Sequence, residues 1–314
     1  MRIFFLVLYL MSFSCFAQSG SMFTKKQVLS DLKFLLESLE ETHYNLYAYT
    51  PKQAIDSIYR ELTSSVKKDS LSLLETTNLY QHLISSANNG HTEITFPGQS
   101  YFEYAQAGGT LFPLEVAFEN DRALIRKNWS KNENIKIGTE ILSINGRSID
   151  EIMEVIYPQI SAERSYFKNA KIELYSFPRM YWQVFGMQDS FLVEIRSDGK
   201  SEKHNLKAIN LIEEYESKRT EVLNAVMTLK FLEGTAYLNP GNFSGDEEKF
   251  RKFIDSSFAQ IKDQESKHLI IDLRNNGGGD DSFSDYMVSY IADKPFKWTS
   301  SFTLKTSSFL KDQV

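Results

Sequence analysis

The segment from Ile270 to Gly279 contains the residue types of a loop that can bind an oxyanion. An apolar run, Ile270 to Leu273, is followed by Arg274-Asn275-Asn276 and then by three glycines, Gly277, Gly278 and Gly279. Consecutive glycines permit positive φ and let backbone N–H groups face a ligand without an obstructing Cβ. Such amides can stabilise the oxyanion of acyl transfer or bind a phosphate. A plain turn is the alternative interpretation.

The glycine triplet does not have the spacing of a nucleotide-binding loop. No Gly-Lys-Ser or Gly-Lys-Thr follows it, as a Walker loop requires. It also lacks the Gly-x-Gly-x-x-Gly spacing of dinucleotide-binding folds. An oxyanion therefore fits the triplet better than a nucleotide does.

His91 is the second residue with chemical potential. It follows Gly90 at the predicted exit of a helix, in Asn88-Asn89-Gly90-His91. Histidine is the usual general base near neutral pH, and a preceding glycine lets the ring project freely. A surface histidine in a turn is the alternative. The chain has no His-Glu-x-x-His or His-x-His spacing, so we predict no metal site and no cofactor.

A third pattern lies between Gly138 and Gly146. The stretch Gly-x-x-Ile-Leu-x-Ile-Asn-Gly comes before a predicted helix and resembles the second half of a PDZ domain. PDZ domains bind peptide C-termini as an added strand at a sheet edge. We therefore expect Gly138, Asn145 and Gly146 to belong to a substrate-binding module, the alternative being an ordinary β-hairpin.

No serine has an obvious nucleophile context. Ser282 and Ser284 lie too close to the glycines to face them across a substrate. Ser244 lies in Gly241-Asn242-Phe243-Ser244-Gly245, one place away from the Gly-x-Ser-x-Gly spacing of a nucleophile elbow. This stretch is predicted to be a loop.

Three regions would position these residues. Apolar residues at helical spacing predict helices from Thr24 to Thr42, after Pro51, and from Ser72 to Ala87, which gives a helical region at residues 22–95. Strands with Asn120-Asp121 and Asn145-Gly146 turns predict a β-rich module at 108–208. An α/β region at 228–314 follows.

More detailed expectations concern single elements. Asp150 is predicted to be the N-cap of the helix that begins near Glu151, and Leu211 to Asn224 is predicted to be a helical connector. In the last region, strand 235–238, helix 247–261 and the buried strand 268–273 predict a parallel βαβ crossover.

The N-terminus predicts export. Met1-Arg2 is followed by the apolar run Ile3 to Met11 and by small residues up to Ala17, which is the layout of a signal peptide at residues 1–17. The apolar run is too short to span a bilayer, so we expect a periplasmic or cell-envelope protein without a membrane span. A lipoprotein carrying lipid on Cys15 is the less favoured alternative.

Composition narrows the function classes. The 314 residues are 42% hydrophobic and carry a formal charge of -6, which disfavours nucleic acid as a partner. Cys15 is the only cysteine. Cleavage after Ala17 would leave no cysteine for disulfides, thiolate metal sites or catalysis.

Taken in chain order, the His91 segment, the Gly138–Gly146 pattern and the glycine loop resemble the tail-specific (C-terminal processing) serine peptidase family. The resemblance implies a multidomain α+β fold with an N-terminal helical segment, a PDZ-like domain and an incomplete α/β core of the ClpP/crotonase-like kind. By the same resemblance, Gly277 to Gly279 would form the oxyanion hole, and Asp272 and Arg274 would organise the end of the strand. His91 matches the histidine of the tricorn-like branch, which pairs a serine with a histidine and a later glutamate.

The family's serine lies well downstream of its glycine loop, and nothing after Asp280 resembles that turn. The leading interpretation is therefore the N-terminal portion of a serine endopeptidase for exported peptides or proteins, inactive alone and with one sheet edge open. A non-catalytic peptide-binding protein and a ligand carrier are the alternatives.

Overall fold

The structure is a computed structural model that describes residues 21–197, 199–219, 226–297, 299–301 and 303–311. The predicted signal peptide at residues 1–17 lies outside the described residues and stays a prediction. Among the residues described, no helix is both long enough and apolar enough to cross a membrane.

The described residues form helices and short strands along the whole chain. The helices are α1 (Lys25–Thr42), α2 (Lys52–Ser65), α3 (Leu73–Ser85), α4 (Gly98–Gln106), α5 (Ile149–Ile156), α6 (Ser165–Tyr175), α7 (Phe177–Phe185), α8 (Glu247–Asp263), α9 (Asp281–Val288) and α10 (Ser308–Lys311). The strands are β1 (Met22–Thr24), β2 (Ser70–Ser72), β3 (Thr110–Leu111), β4 (Leu114–Glu119), β5 (Arg122–Asn128), β6 (Glu140–Ile144), β7 (Arg147–Ser148), β8 (Ser190–Ser197), β9 (Lys200–Lys207), β10 (Ile209–Asn210), β11 (Thr228–Leu232), β12 (Thr235–Asn239) and β13 (His268–Ile271).

The chain divides into two compact units. The first unit comprises residues 1–100, 158–163 and 307–314, and the second comprises 101–157 and 164–306. The predicted domain bounds at 22–95, 108–208 and 228–314 are finer than this division and stay predictions.

In the first unit, side chains that cap the helix ends fix where two helices begin. Thr24 caps α1, and its hydroxyl and the Gln27 side chain satisfy each other's backbone N–H groups. Ser72 and Glu75 form the same reciprocal capping box at α3. Each box satisfies amides that have no partner inside the helix, so the sequence predicts both starts closely.

One apolar cluster holds α1, α2 and α3 together. Its buried members come from all three helices and the segments after them: Leu32, Leu46, Ile55, Leu62, Leu83 and Ala87. Burying such side chains stabilises a small unit by roughly 1.5–3 kcal/mol each relative to exposure. The cluster therefore fixes the end of α3, from which the chain continues to His91.

The larger sheet of the second unit is antiparallel. Its strand order is β4-β5-β6-β8-β9, with β7 paired to β6. The predicted turns are present: Asn120 and Asp121 have φ of 51° and 58°, and Asn145 and Gly146 have 52° and 79°. Positive φ at both central residues matches the right-handed twist of a hairpin.

The predicted N-cap at Asp150 is wrong. The cap of α5 is Ser148, whose hydroxyl accepts the N–H of Glu151 while the Glu151 carboxylate accepts the N–H of Ser148. Asp150 lies inside the first turn. A serine three residues before a glutamate forms a reciprocal pair that a single aspartate does not offer.

A buried polar cluster links β4 to the segment that follows β10. The Tyr215 hydroxyl donates to Glu115 Oε1 at 2.5 Å and accepts a hydrogen bond from Ser176 Oγ, and Arg219 Nε lies 3.3 Å from Glu115 Oε1. The exposed fractions of the Glu115 and Arg219 side chains are 2% and 4%. Burial, followed by the Glu115 charge, raises the pKa of Tyr215 far above its usual range.

The same segment corrects the predicted connector helix. Only Leu211–Glu216 is helical, and it is a π-helix rather than an α-helix. Residues 220–225 lie outside the described part of the chain. Because Tyr215 on this short helix donates into the buried cluster, side-chain contacts determine its path more than helix propensity does.

The smaller sheet of the second unit has the order β11-β12-β13. β12 and β13 are parallel and are joined through α8, which confirms the predicted βαβ crossover. Its core contains apolar side chains from β12, α8 and α9: Leu238, Phe250, Ile254, Phe283 and Met287.

The prediction that 268–273 is a buried strand is wrong. The strand ends at Ile271, and Ile270 is 50% exposed while Leu273 is 44% exposed. Within the described residues β13 pairs only with β12. β13 is therefore an edge strand among the described residues, and Ile270 lies on the face opposite Leu269 and Ile271, which pack against the core of α8 and α9.

Candidate active site

His91 lies in the first unit on a turn that follows α3, and its side chain is exposed. Its N–H donates to Asn89 Oδ1 at 3.0 Å, and the N–H of Thr92 donates to Asn89 O at 3.0 Å. The imidazole itself has no hydrogen bond or ion pair within the described part of the chain. The backbone is thus fixed while both ring nitrogens stay available to a hydroxyl that comes within hydrogen-bonding reach.

Two hydrogen bonds, one before His91 and one after it, attach this turn to the rest of the first unit. Asn88, at a φ of 48°, donates from Nδ2 to Thr50 Oγ1 at 2.9 Å. On the far side, the Thr92 hydroxyl lies 3.0 Å from His43 Nε2. Both partners are more than thirty residues away in sequence, so local patterns do not reveal them.

His43 is a histidine with a structural partner on each ring nitrogen. Its Nδ1 accepts the N–H of Asn45 at 3.1 Å. With Nδ1 as an acceptor, the ring proton is on Nε2, which donates to Thr92 Oγ1. His43 therefore supports the turn, and it leaves His91 as the candidate base.

The glycine loop of the second unit requires glycine at two of its three positions. Gly278 and Gly279 have φ of 87° and 139°, whereas Gly277 does not have positive φ. A Cβ on Gly279 would lie 1.9 Å from Phe243 O, but a Cβ on Gly277 or Gly278 would meet nothing within 4 Å. Close approach of two backbones thus explains Gly279.

That close approach extends the pairing of β12 and β13. Phe243 and Gly279 form a parallel bridge: Phe243 O accepts the N–H of Asp280 at 2.7 Å. Asn276 Nδ2 also donates to Gly241 O at 2.6 Å. The 241–245 stretch is a loop, as predicted, and it supports the glycines. Asn276 belongs to the loop that the sequence singles out, but no pattern in the sequence predicts that its side chain holds Gly241.

The three glycine amides are not equivalent. The N–H of Gly278 donates to Asn276 Oδ1 at 2.8 Å, and that of Gly277 reaches Asn242 Oδ1 at 3.5 Å, the limit for a hydrogen bond. The N–H of Gly279 has no acceptor among the described residues. Gly279, and next Gly277, can therefore donate to a substrate oxygen.

A charged cluster fixes the strand end before the loop. Arg274 donates from Nε to Asp272 Oδ1 at 2.9 Å, and the Tyr237 hydroxyl donates to Asp272 Oδ2. The Arg274 guanidinium, followed by the Tyr237 hydroxyl, holds the pKa of the Asp272 carboxyl well below its usual range. With its oxygens occupied and its charge paired, Asp272 organises the chain and is a poor general base.

Negative charge at the start of α9 disfavours a phosphate at this loop. Asp280 caps the helix by accepting the N–H of Ser282 at 2.8 Å, and Asp281 lies in the first turn. These carboxylates already complement the positive end of the helix. The loop thus suits the transient charge of an acyl-transfer oxyanion better than a dianion.

The serines near the loop are not placed as nucleophiles. Ser284 Oγ donates to Asp281 O at 3.0 Å inside α9, and Ser282 lies in the first turn of that helix. Ser244 is exposed in the loop after the Phe243 bridge and makes no hydrogen bond to a histidine among the described residues. Among the described residues none of the three hydrogen-bonds to a histidine, and the one carboxylate that Ser282 contacts, Asp280, is already the cap of α9.

The candidate peptide-binding residues occupy turns of the antiparallel sheet. The N–H of Gly138 donates to Ile125 O at 2.7 Å. Asn145 Oδ1 accepts the N–H of Leu192 at 2.7 Å, next to Gly146. Gly138 and Gly146 have φ of 84° and 79°, so positive φ explains the two glycines, and the Leu192 contact explains Asn145. The role of the three residues in substrate binding stays a prediction.

The described residues hold no group of three or more His, Cys, Asp or Glu side chains that could bind a metal ion. His91 belongs to the first unit and the glycine loop to the second. Their convergence on one pocket stays a prediction.

Comparison with protein families adds a direct observation about the glycine loop. Residues 234–305 match peptidase family S41. This S41 segment contains β12, α8, β13, the glycine loop and α9. No curated protein sequence matches the chain.

Two solved structures share the fold. Mature CPAF complexed with lactacystin has a TM-score of 0.56 at 14% identity, over 84% of this chain and 59% of that one. A point mutant of CPAF has a TM-score of 0.52 at 15% identity, over 82% of this chain and 57% of that one. This chain therefore spans less than two thirds of either.

Proposed function

We propose that this chain is part of a serine-type endopeptidase that acts on exported peptides or proteins. The observation that carries the proposal is the S41 match over residues 234–305, which includes the glycine loop. The exposed His91, with an unoccupied ring on a hydrogen-bonded turn, favours the tricorn-like design that pairs serine with histidine.

In this mechanism His91 takes the proton from a serine hydroxyl as the oxygen attacks the scissile carbonyl. The carbonyl oxygen becomes an oxyanion, which accepts hydrogen bonds from the N–H groups of Gly279 and Gly277. His91 then protonates the leaving amine, and water releases the acyl group by the same steps in reverse.

The serine is proposed to come from polypeptide outside residues 1–314. The placements of Ser244, Ser282 and Ser284 support this, because none of them hydrogen-bonds to a histidine among the described residues and Ser282 and Ser284 lie within α9. The antiparallel sheet would act as a PDZ-like module for the substrate, and the signal-peptide pattern at residues 1–17 supports action in the periplasm or cell envelope.

The test is peptide hydrolysis. We expect the purified 314-residue chain to hydrolyse no fluorogenic peptide, and a longer product of the same reading frame to do so. In that product His91→Ala should lower kcat by about 10⁶-fold, since removing the histidine of a triad leaves only binding and the oxyanion hole. His268→Ala, an exposed histidine at the start of β13, is the matched control and should retain activity.

Two outcomes would contradict the proposal. Turnover by the 314-residue chain that survives Ser244→Ala, Ser282→Ala and Ser284→Ala would require a different nucleophile. Saturable peptide binding that His91→Ala does not change, without hydrolysis by either protein, would support the peptide-binding alternative.

A further inference from the structure

A six-residue segment far along the chain packs into the first unit beside the His91 turn. Residues 158–163 belong to the first unit, whereas the residues on both sides of them belong to the second. Ile160, Ser161 and Ala162 are 1–4% exposed. Ser85, at the end of α3, donates from Oγ to Pro158 O at 2.6 Å. The segment is thus a fixed part of the first unit.

The last residue of this segment contacts the residue before His91. Glu163 Oε1 accepts the N–H of Gly90 at 2.9 Å. A hydrogen bond from an amide to a charged carboxylate is shorter and stronger than one between neutral groups. Because glycine has the widest conformational freedom of all residues, this bond restrains the one position in the turn that would otherwise move most.

We propose that Glu163 is a positioning residue for His91. The inference rests on the proposed role of His91 as general base. Glu163 holds the backbone immediately before His91, as His43 holds it immediately after through Thr92. The imidazole therefore projects from a turn that is restrained on both sides and makes no contact that a substrate would have to break.

The physical reason is the sensitivity of proton transfer to distance. A base must lie within hydrogen-bonding reach of the hydroxyl it deprotonates, and a displacement of about 1 Å can lower a rate about 10²-fold. Glycine has no side chain that restricts its backbone, and at Gly90 the Glu163 carboxylate supplies a restraint by accepting the N–H.

The experiment uses the full 314-residue chain with ¹³C-labelled histidine. The His91 ring signal is identified by its loss in His91→Gln. Glu163→Ala should shift or broaden this signal and speed hydrogen exchange of the peptide covering residues 88–92 by about tenfold, since local opening sets that rate. Glu163→Gln keeps an Oε1 acceptor but loses the charge, so it should change both readouts less than Glu163→Ala does.

Two further variants complete the design. Glu119→Ala removes an exposed carboxylate at the end of β4 and should change neither readout. Glu163→Asp keeps the charge but shortens the side chain by one methylene. It should reproduce the loss seen with alanine, and it replaces that variant if Glu163→Ala fails to fold.

An unchanged His91 signal and unchanged exchange in Glu163→Ala and Glu163→Asp would overturn the inference. This failure is distinct from failure of the proposed function. If hydrolysis survives His91→Ala while the Glu163 variants still loosen the turn, Glu163 does restrain the turn but His91 is not the general base. If His91→Ala abolishes hydrolysis and the turn does not respond to Glu163, only the positioning role fails.

Discussion

Replacing Gly279 with alanine is expected to destabilise the β11-β12-β13 sheet by about 4 kcal/mol. The added Cβ would lie 1.9 Å from Phe243 O, and φ at this position is 139°. A side chain in that backbone region is strained, and relief of the clash requires the two backbones to separate. Separation would break the Phe243 bridge that positions the Gly279 amide.

Hydrogen exchange of peptides that cover β12 and β13 measures this change, because opening of the sheet sets their exchange rate. Gly277→Ala is the matched control in the same loop. It meets no atom within 4 Å and does not have positive φ, so its cost should stay within about 0.5 kcal/mol. Equal effects of the two variants would contradict this account of the loop.

Glu115→Ala is expected to destabilise the antiparallel part of the second unit by about 3–5 kcal/mol. The change leaves the Arg219 guanidinium, which is 4% exposed, without its carboxylate. It also removes the acceptor of the Tyr215 hydroxyl. Removing one partner of a buried pair costs more than the pair itself contributes, because the remaining charge stays out of water.

Urea unfolding followed by tryptophan fluorescence reports this effect, since the Trp129 ring contacts Tyr215 at a centroid distance of 5.4 Å. Glu119→Ala on the same strand is the control. Its side chain is exposed, and its cost should not exceed about 0.5 kcal/mol. A cost for Glu115→Ala as small as that of the control would show that the buried cluster contributes little.

Elements fixed by local interactions were predictable from the sequence. The capping residues Thr24 and Ser72 act within one turn of the helices they start. The Asn120-Asp121 and Asn145-Gly146 turns depend on their own φ values. The crossover through α8 follows from the strand–helix–strand order, because parallel neighbours need such a connection.

Elements fixed by distant partners were not predictable. β9 (Lys200–Lys207) carries no apolar alternation and forms through its pairing with β8. β11 is likewise paired to β12 by the fold rather than by a strong pattern of its own. The exposure of Ile270 depends on which elements cover its face of the sheet, and a strand's own sequence does not contain that information.

In the candidate site, too, some features were predictable from the sequence and others depend on distant contacts. The types of His91 and of the three glycines indicate chemistry from the sequence alone. The groups that hold them do not: Glu163 and His43 contact the His91 turn from distant parts of the chain, and Phe243 pairs with Gly279 across α8. These contacts appear only once the fold brings the segments together.

The proposed function requires that His91 and the glycine loop serve one site. If a reacting atom lies about 3 Å from both groups, the His91 ring and the loop amides are roughly 6 Å apart. Nitroxide labels on His91→Cys and Gly277→Cys, in a Cys15→Ser background, measure this proximity directly. The account predicts strong dipolar broadening of the doubly labelled spectrum; a spectrum equal to the sum of the two single-label spectra would contradict it.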